Sequence, residues 1–373
     1  MMVSIADHSI VSPYGIGSEL SFQQIKEGNS AVQLNSNSTL SPTPTYLAKI
    51  ENSLFSKIKV SHHTRLESMM IRAIEDAVSK SRVDLKSEKT LLILSTTKGN
   101  IDLLEDHDYK GFNKSRSYLG ALSKHIGDYF KTSNTPLVVS NACISGGCAL
   151  ELGSDFLQTK RYNNIVVCGG DVITEFVISG FRSFHALSEG PCAPYDKDRD
   201  GINLGEAAAC VVLSSNSNSN IQLIGSATSN DSNHISGPSR TGEGLYLATL
   251  NALNQAQIDA GELDYISAHG TATNYNDEME SIAFGRAFIN ETPLNSYKGY
   301  IGHTLGAAGV IETILTIICL QKNVLIKSLG YMNEGTSQPL NVIETTHSSE
   351  LKYALKTGSG FGGGNNALIF RKN

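Results

Sequence analysis

Short runs that are apolar at every position alternate along this chain with longer stretches whose apolar residues recur every three to four positions. The first kind reads as strands: Leu91 to Leu94, Leu137 to Val139, Ile165 to Val167, Ala208 to Leu213, Ile221 to Ile224, Tyr265 to Ala268 and Ala367 to Phe370. The second kind predicts helices over residues 64–81, 117–131, 144–160, 242–260, 278–288 and 307–322. Strands with no polar alternation need cover on both faces, and the helices between them can supply it, so the class is α/β. A polar tract, Ser214 through Asn220, splits the pattern near its middle and reads as a surface loop.

With 373 residues, 40% of them hydrophobic, the chain can bury a large core, as one unit or as two fused halves. A formal net charge of −6 gives no global basic field for nucleic acid. No apolar run approaches the roughly 18 residues of a membrane helix, and the longest candidate carries Glu312, so no membrane insertion is expected. The opening Met1-Met2-Val3-Ser4-Ile5-Ala6-Asp7 lacks the positive start of a signal peptide. Cys143, Cys148, Cys168, Cys192, Cys210 and Cys319 follow no metal-binding spacing, and several fall in strand-like runs. That usage fits reduced thiols in a cytoplasmic protein.

One cysteine differs from the rest. Val138-Val139-Ser140-Asn141-Ala142-Cys143 takes a buried strand to a small-residue corner, and a helical pattern follows. A thiol there lies at the positive end of a helix dipole, which favours thiolate. Glycines just past it, Gly146 and Gly147, let a substrate or another backbone come close. A free cysteine is most often a buried structural residue, but two histidines accompany this one. His269 heads His269-Gly270-Thr271-Ala272-Thr273, and His303 lies within Lys298 to Gly309, before a helical pattern. Both stand among small, turn-forming residues instead of on an apolar face, which a core histidine does not explain.

These segments together resemble the β-ketoacyl-acyl-carrier-protein synthases, condensing enzymes of the thiolase-like superfamily. Ala142-Cys143-Ile144-Ser145-Gly146 is similar to the family's nucleophile motif. His269 to Glu280 is similar to its His-Gly-Thr-x-Thr motif with the following Asp and Glu, and Lys298 to Gly309 to its Lys-x-x-x-Gly-His-x-x-Gly-Ala-Ala-Gly motif. Gly360-Phe361-Gly362-Gly363-Gly364-Asn365 resembles the Gly-rich end, and Tyr195 to Gly201 leading into Gly205-Glu206 is a further marker. The likeness runs from Val11-Ser12-Pro13 to the last strand.

The resemblance implies a five-layered α-β-α-β-α fold of two similar halves. Residues 1–215 would carry the nucleophile and residues 216–373 the two histidines. It implies Cys143 as nucleophile, with the backbone N–H groups of Cys143 and Phe361 as oxyanion hole and Phe361 also as gate. His269 and His303 would be neutral donors to a thioester oxygen. Lys298 and Glu280 would hold the site's network together, with Asp277 nearby; the alternative for both acids is a solvated helix start. The implied reaction is ping-pong: acyl transfer to Cys143, then decarboxylation of malonyl-carrier protein and condensation. It needs no metal or dissociable cofactor. The implied partners are an acyl carrier protein and a second ketosynthase-like subunit, in a homodimer or heterodimer. Lys57, Lys59, Arg65 and Arg199 are candidates for a basic patch that receives the acidic carrier.

Two short motifs compete and fail. The G-x-G-x-x-G spacing in Gly358 to Gly363 precedes a strand and not a helix, which excludes the dinucleotide fingerprint. Ser95-Thr96-Thr97-Lys98 with Lys356-Thr357-Gly358 imitates the S-x-x-K and K-T-G pair of penicillin-binding enzymes, but Ser95 ends a strand. Departures from the family pattern are Ser359 where many relatives have Phe, Ala193 in place of an Arg, and a shortened stretch between Ser95 and Ser117. They point towards a specialised synthase, such as one making a polyene. The rival readings are a non-condensing chain-length-factor-like partner, which characteristically lacks the nucleophile, and a coenzyme A thiolase, which needs a second catalytic cysteine.

Overall fold

The computed structural model describes residues 3–105, 111–231 and 237–373. Met1 and Met2 of the opening segment, and residues 106–110 of the shortened stretch, lie outside them.

One sheet runs through the molecule. Its strands are β1 (Val3–Ser12), β2 (Thr90–Ser95), β3 (Leu137–Val139), β4 (Asn164–Asp171), β5 (Ala207–Ser214), β6 (Ile221–Asn230), β7 (Tyr265–Ser267), β8 (Leu294–Asn295), β9 (Tyr353–Gly360) and β10 (Gly364–Lys372). Across the sheet the order is β8-β7-β9-β10-β6-β1-β5-β4-β2-β3, with a two-residue strand, Gly15–Ile16, beside β1. Strands β1–β5 and β6–β10 therefore repeat one topology. In each half the second strand pairs parallel with the third and the fourth, and the fifth pairs antiparallel with the fourth and the first. The halves join where β1 meets β6 antiparallel at Val3–Leu223 and Ser4–Gln222. The polar tract is the passage between them, from Ser214 to Ile221.

The helices that pack on this sheet or lead into the site include α1 (Arg65–Ser81), α2 (Leu119–Phe130), α3 (Ser145–Gln158), α4 (Glu175–Ser183), α5 (Glu243–Ala256), α6 (Asn274–Arg286) and α7 (Ala308–Lys322). Strand alternation sorts them into layers, because successive side chains leave opposite faces of a sheet. Leu92, Leu94, Val166 and Cys168 pack with Met70 and Ile74 of α1 and Leu122 of α2. Their neighbours Leu91, Ile93, Ile165 and Val167 pack instead with Leu150 of α3 and Ile314 of α7. In the other half Leu368 and Phe370 face that same middle layer, while Ala367 and Ile369 face Leu245 of α5 and Phe284 of α6. The result is α-β-α-β-α, with α3 and α7 in the centre. Each buried Leu, Ile or Val there contributes roughly 1.5–3 kcal/mol.

Most predicted elements recur within a few residues, and four differences have physical causes. Strand β1 was hidden because Asp7, His8 and Ser9 interrupt its apolar run, and a register shift between Ile5 and Asp7 bends it. Strand β9 was hidden by Lys356, Thr357 and the glycines after them. Helix α6 begins at Asn274, not 278, because the Thr273 hydroxyl accepts from the Asn276 N–H and caps it there. Finally, Leu305–Lys322 is long and apolar enough to cross a membrane, contrary to the expectation from sequence, yet 83% of it is buried inside the protein. It is the core helix of the middle layer.

Candidate active site

The glycines of two motifs explain how distant segments meet. A β-carbon on Gly309 would stand 2.5 Å from the Gly147 nitrogen, and one on Gly146 would stand 2.9 Å from the Val310 nitrogen. The first turns of α3 and α7 therefore touch backbone to backbone, which brings the loop holding Cys143 against the loop holding His303. These two loops and the loop holding His269 are also strained. Ala142, just before Cys143, has φ 44°, Ala272, three residues after His269, has φ 61°, and Leu305, two after His303, has φ 54°. Non-glycine residues adopt such angles at a cost of about 1–3 kcal/mol each, and functional loops are where folds tolerate it.

Cys143, His269, His303 and Phe361 line one cleft of about 300 Å3, together with Ile202, Thr271, Thr273 and Ser359. The two imidazoles stand edge to face with ring centroids 5.3 Å apart. Both His303 ring nitrogens are buried and without a hydrogen-bond partner among the described residues. Its backbone is pinned by its N–H donating to the Asn203 carbonyl at 2.7 Å and its carbonyl accepting from the Gly205 N–H at 2.9 Å. Burial, with Lys298 next, holds both histidines well below the usual imidazole range, so both are neutral at pH 7. The Lys298 ammonium lies 3.4 Å from His269 Nδ1. An ammonium only donates, so Nδ1 accepts and the His269 proton stands on Nε2.

Cys143 departs from the expectation of a favoured thiolate. Burial pushes its thiol up to about 11, while Lys98, Lys298 and the Phe361 backbone N–H pull the other way. The sulfur is nearly enclosed, and desolvation outweighs the uncapped start of α3. Gly360 packs so closely on the nucleophile's corner that its β-carbon would stand 3.1 Å from the Cys143 nitrogen. The Gly-rich segment is a hairpin turn between β9 and β10, with Gly362 and Gly363 at φ 85° and 80°. The Phe361 ring lies against Phe181 and Phe184, centroids 5.6 and 5.4 Å away, at the wall of the cleft.

Glu280 and Asp277 are fully buried, which excludes the solvated helix start. Glu280 accepts from the His269 N–H at 2.8 Å, the Gly270 N–H at 2.7 Å, the Tyr195 hydroxyl at 2.9 Å and the Asn276 amide at 2.9 Å. Asp277 accepts from the backbone N–H of Tyr195, Thr271 and Ala272 at 2.7, 2.9 and 3.1 Å. Burial raises both carboxyls above their ordinary values, and the backbone donors oppose it. They clamp the His269 loop and are positioning residues.

Lys298 does not pair with Glu280. Its ammonium donates to the His269 carbonyl and to Glu312 at 2.7 Å, and Lys356 pairs with the same carboxylate at 2.8 Å. Burial pushes the Glu312 carboxyl up, but the two ammonium groups outweigh it and hold it below its ordinary value. Sequence reading missed Glu312 and Lys356 as members of the site. The available signal was a lone carboxylate in an apolar helix and a lone lysine in an apolar strand, neither of which is stable buried without a partner. Arg65 and Arg199 leave the candidate docking patch. Arg65 is bound to Glu206 at 2.5 Å, and Arg199 is buried against the Gly335 and Asp196 carbonyls. Lys57 and Lys59 remain exposed.

Comparison with known proteins agrees with this geometry. The Beta-ketoacyl synthase N-terminal domain family matches residues 3–219 and the corresponding C-terminal domain family residues 221–332. A putative mitochondrial 3-oxoacyl-[acyl-carrier-protein] synthase of Schizosaccharomyces pombe is 34% identical over 257 residues, 62% of this chain and 60% of that protein. A 3-oxoacyl-[acyl-carrier-protein] synthase 2 of Rhizobium meliloti is 26% identical across 99% of this chain and 98% of its own. Among solved structures, a ketosynthase in complex with its chain length factor from Xenorhabdus doucetiae superposes with a TM-score of 0.88 at 25% identity, covering 100% of this chain and 98% of that one. The ishigamide ketosynthase/chain length factor, at 22% identity and a TM-score of 0.92 over 100% and 99% of the two chains, shares the fold.

Proposed function

Since the chain belongs to the β-ketoacyl synthase family, a family of acyltransferases, we propose that it catalyses decarboxylative Claisen condensation: malonyl-acyl carrier protein adds to an acyl group on Cys143 and gives β-ketoacyl-acyl carrier protein. The observation that carries this reading is that the thiol of Cys143 and two neutral imidazoles open on one cleft.

Each group has a step. The Cys143 sulfur attacks the acyl thioester, and its proton leaves with the departing pantetheine sulfur. The N–H groups of Cys143 and Phe361 receive the oxyanion that forms. The malonyl thioester then enters, and His269 and His303 direct Nε2–H at its carbonyl oxygen. Loss of CO2 leaves the bond's electron pair as an enolate, which those two donors stabilise without a strong base. The enolate carbon attacks the acyl carbonyl, the carbon–sulfur bond breaks, and the departing Cys143 thiolate takes a proton from solvent. Lys298 keeps His269 in the tautomer this requires, and no step calls for a metal or dissociable cofactor. The Phe361 ring gates the acyl side.

The partner in this scheme is an acyl carrier protein, and the assembly a dimer with a second ketosynthase-like chain. A non-condensing partner role, like that of a chain length factor, is the second reading, favoured only by the likeness to ketosynthase/chain length factor complexes. The intact Cys143, His269 and His303 stand against it. Mixing the protein with acyl-carrier protein and malonyl-carrier protein tests the proposal by mass spectrometry of the carrier. A product two carbons longer, lost in Cys143→Ala, is expected; malonyl-carrier protein left intact would overturn it.

A further inference from the structure

Cys143 takes up a proton each time its carbon–sulfur bond breaks, at a moment when the product lies in the cleft. A second cavity reaches the nucleophile from behind. It has about 10 Å3 of room, at the limit for one water molecule. Cys143 and His269 line both this cavity and the cleft, whereas Glu312, Lys356 and Asn366 line the cavity alone. Strand alternation explains how Lys356 comes there, because Lys356, Gly358 and Gly360 leave β9 on one face. On that face a β-carbon at Gly358 would stand 3.5 Å from Ile144, and one at Gly360 3.1 Å from the Cys143 nitrogen. The lysine therefore points to the side on which the nucleophile's corner packs.

An ammonium carries three N–H donors. Those of Lys298 are matched by the His269 carbonyl, His269 Nδ1 and Glu312 Oε1. Lys356 has only the Thr357 carbonyl and its ion partner Glu312 Oε2, so one N–H is left over among the described residues. Oε2 itself is buried without a well-aligned hydrogen bond from them. One water in the cavity satisfies both groups: it accepts from Lys356, donates to Oε2 and turns its other proton to the sulfur. Three such partners are what a buried water ordinarily has. Charge counting marks Lys356 as the group that gives up a proton, since one carboxylate cannot compensate two buried ammonium groups. Burial acts in the same sense, holding the Lys356 ammonium below its ordinary 10.5 and the Cys143 thiol up at about 11, so the transfer runs downhill.

We propose that Lys356 is the immediate proton donor to Cys143, acting through a single water held in this cavity. This rests on the condensing reading of Cys143. As the carbon–sulfur bond breaks, its electron pair stays on the sulfur. The water gives the sulfur a proton, and the ammonium replaces it. An S–H bond forms and an N–H bond breaks, which leaves the water unchanged and Lys356 as a neutral amine. Once the product has left the cleft the amine is recharged from solvent, so solvent remains the net source.

The test loads Cys143 from acyl-carrier protein, adds malonyl-carrier protein and follows one turnover by mass spectrometry of the carrier. Lys356→Arg keeps the charge, but a guanidinium does not release its proton. Condensation by Lys356→Arg and by Lys356→Met should fall about a hundredfold, and at least about tenfold further than acylation of Cys143 falls. The wild type itself should condense more slowly in D2O, with a curved dependence on the deuterium fraction, because two protons move. Full condensation by Lys356→Arg, equal losses in the two steps, or a wild-type rate indifferent to deuterium would overturn the relay while leaving the condensing reading intact. Failure of Cys143 to load in the wild type would instead bring down that reading and this one with it.

Discussion

His269 and His303 meet edge to face, planes at 85°, with the imidazole of one tied to the Lys298 ammonium and that of the other without a hydrogen-bond partner among the described residues. The free ring is the one that can give its whole donor strength to a substrate oxygen. His303→Ala should therefore lower the rate of malonyl-carrier decarboxylation by about 10²–10³. Release of labelled CO2 measures it, and an effect below threefold would refute the role.

The same two rings set a pH dependence. Each is held below its ordinary value of 6.5, so each stays neutral as the pH falls through that point. Decarboxylation should hold level from pH 7.5 to 6 and decline only in more acid solution. A rate–pH profile with an acid limb centred at 6.5 would show an imidazole that ionises normally.

Cys143 should behave as a buried thiol. Its ionisation lies at about 11, so thiolate rises tenfold per pH unit throughout the accessible range. Alkylation by iodoacetamide should increase roughly a hundredfold between pH 7 and 9 without levelling. A plateau by pH 8 would show a thiolate stabilised at rest.

Glu312 lies between two buried ammonium groups. Glu312→Ala would leave Lys298 and Lys356 uncompensated at 0% and 3% side-chain exposure. A loss of about 3–5 kcal/mol is expected in denaturant unfolding. Adding Lys356→Met to Glu312→Ala should recover part of it, because one of the two unpaired charges is then gone.

Much of this arrangement was legible in the chain. Cys143, His269 and His303 announce themselves because small and turn-forming residues surround them, and the structure brings all three to one cleft. The strand pattern gave the double-sided sheet, since Leu91 to Leu94 is apolar on both faces. What stayed hidden depends on partners far away in sequence. Glu312 and Lys356 look like single misplaced charges until the fold pairs them. Arg65 looked like a surface cation until Glu206 met it. Repetition of topology between β1–β5 and β6–β10 is visible only in the pairing of strands, because the two halves do not share an obvious sequence pattern. The sulfur's reluctance to ionise follows from burial, which the local motif does not record.

The account stands on acyl transfer to one atom, and intact-protein mass spectrometry after incubation with acyl-carrier protein reads it directly. A single acyl adduct that maps to Cys143, and is absent from Cys143→Ser, is the predicted result. An unmodified Cys143, with the acyl adduct carried instead by another ketosynthase-like subunit when one is supplied, would contradict it.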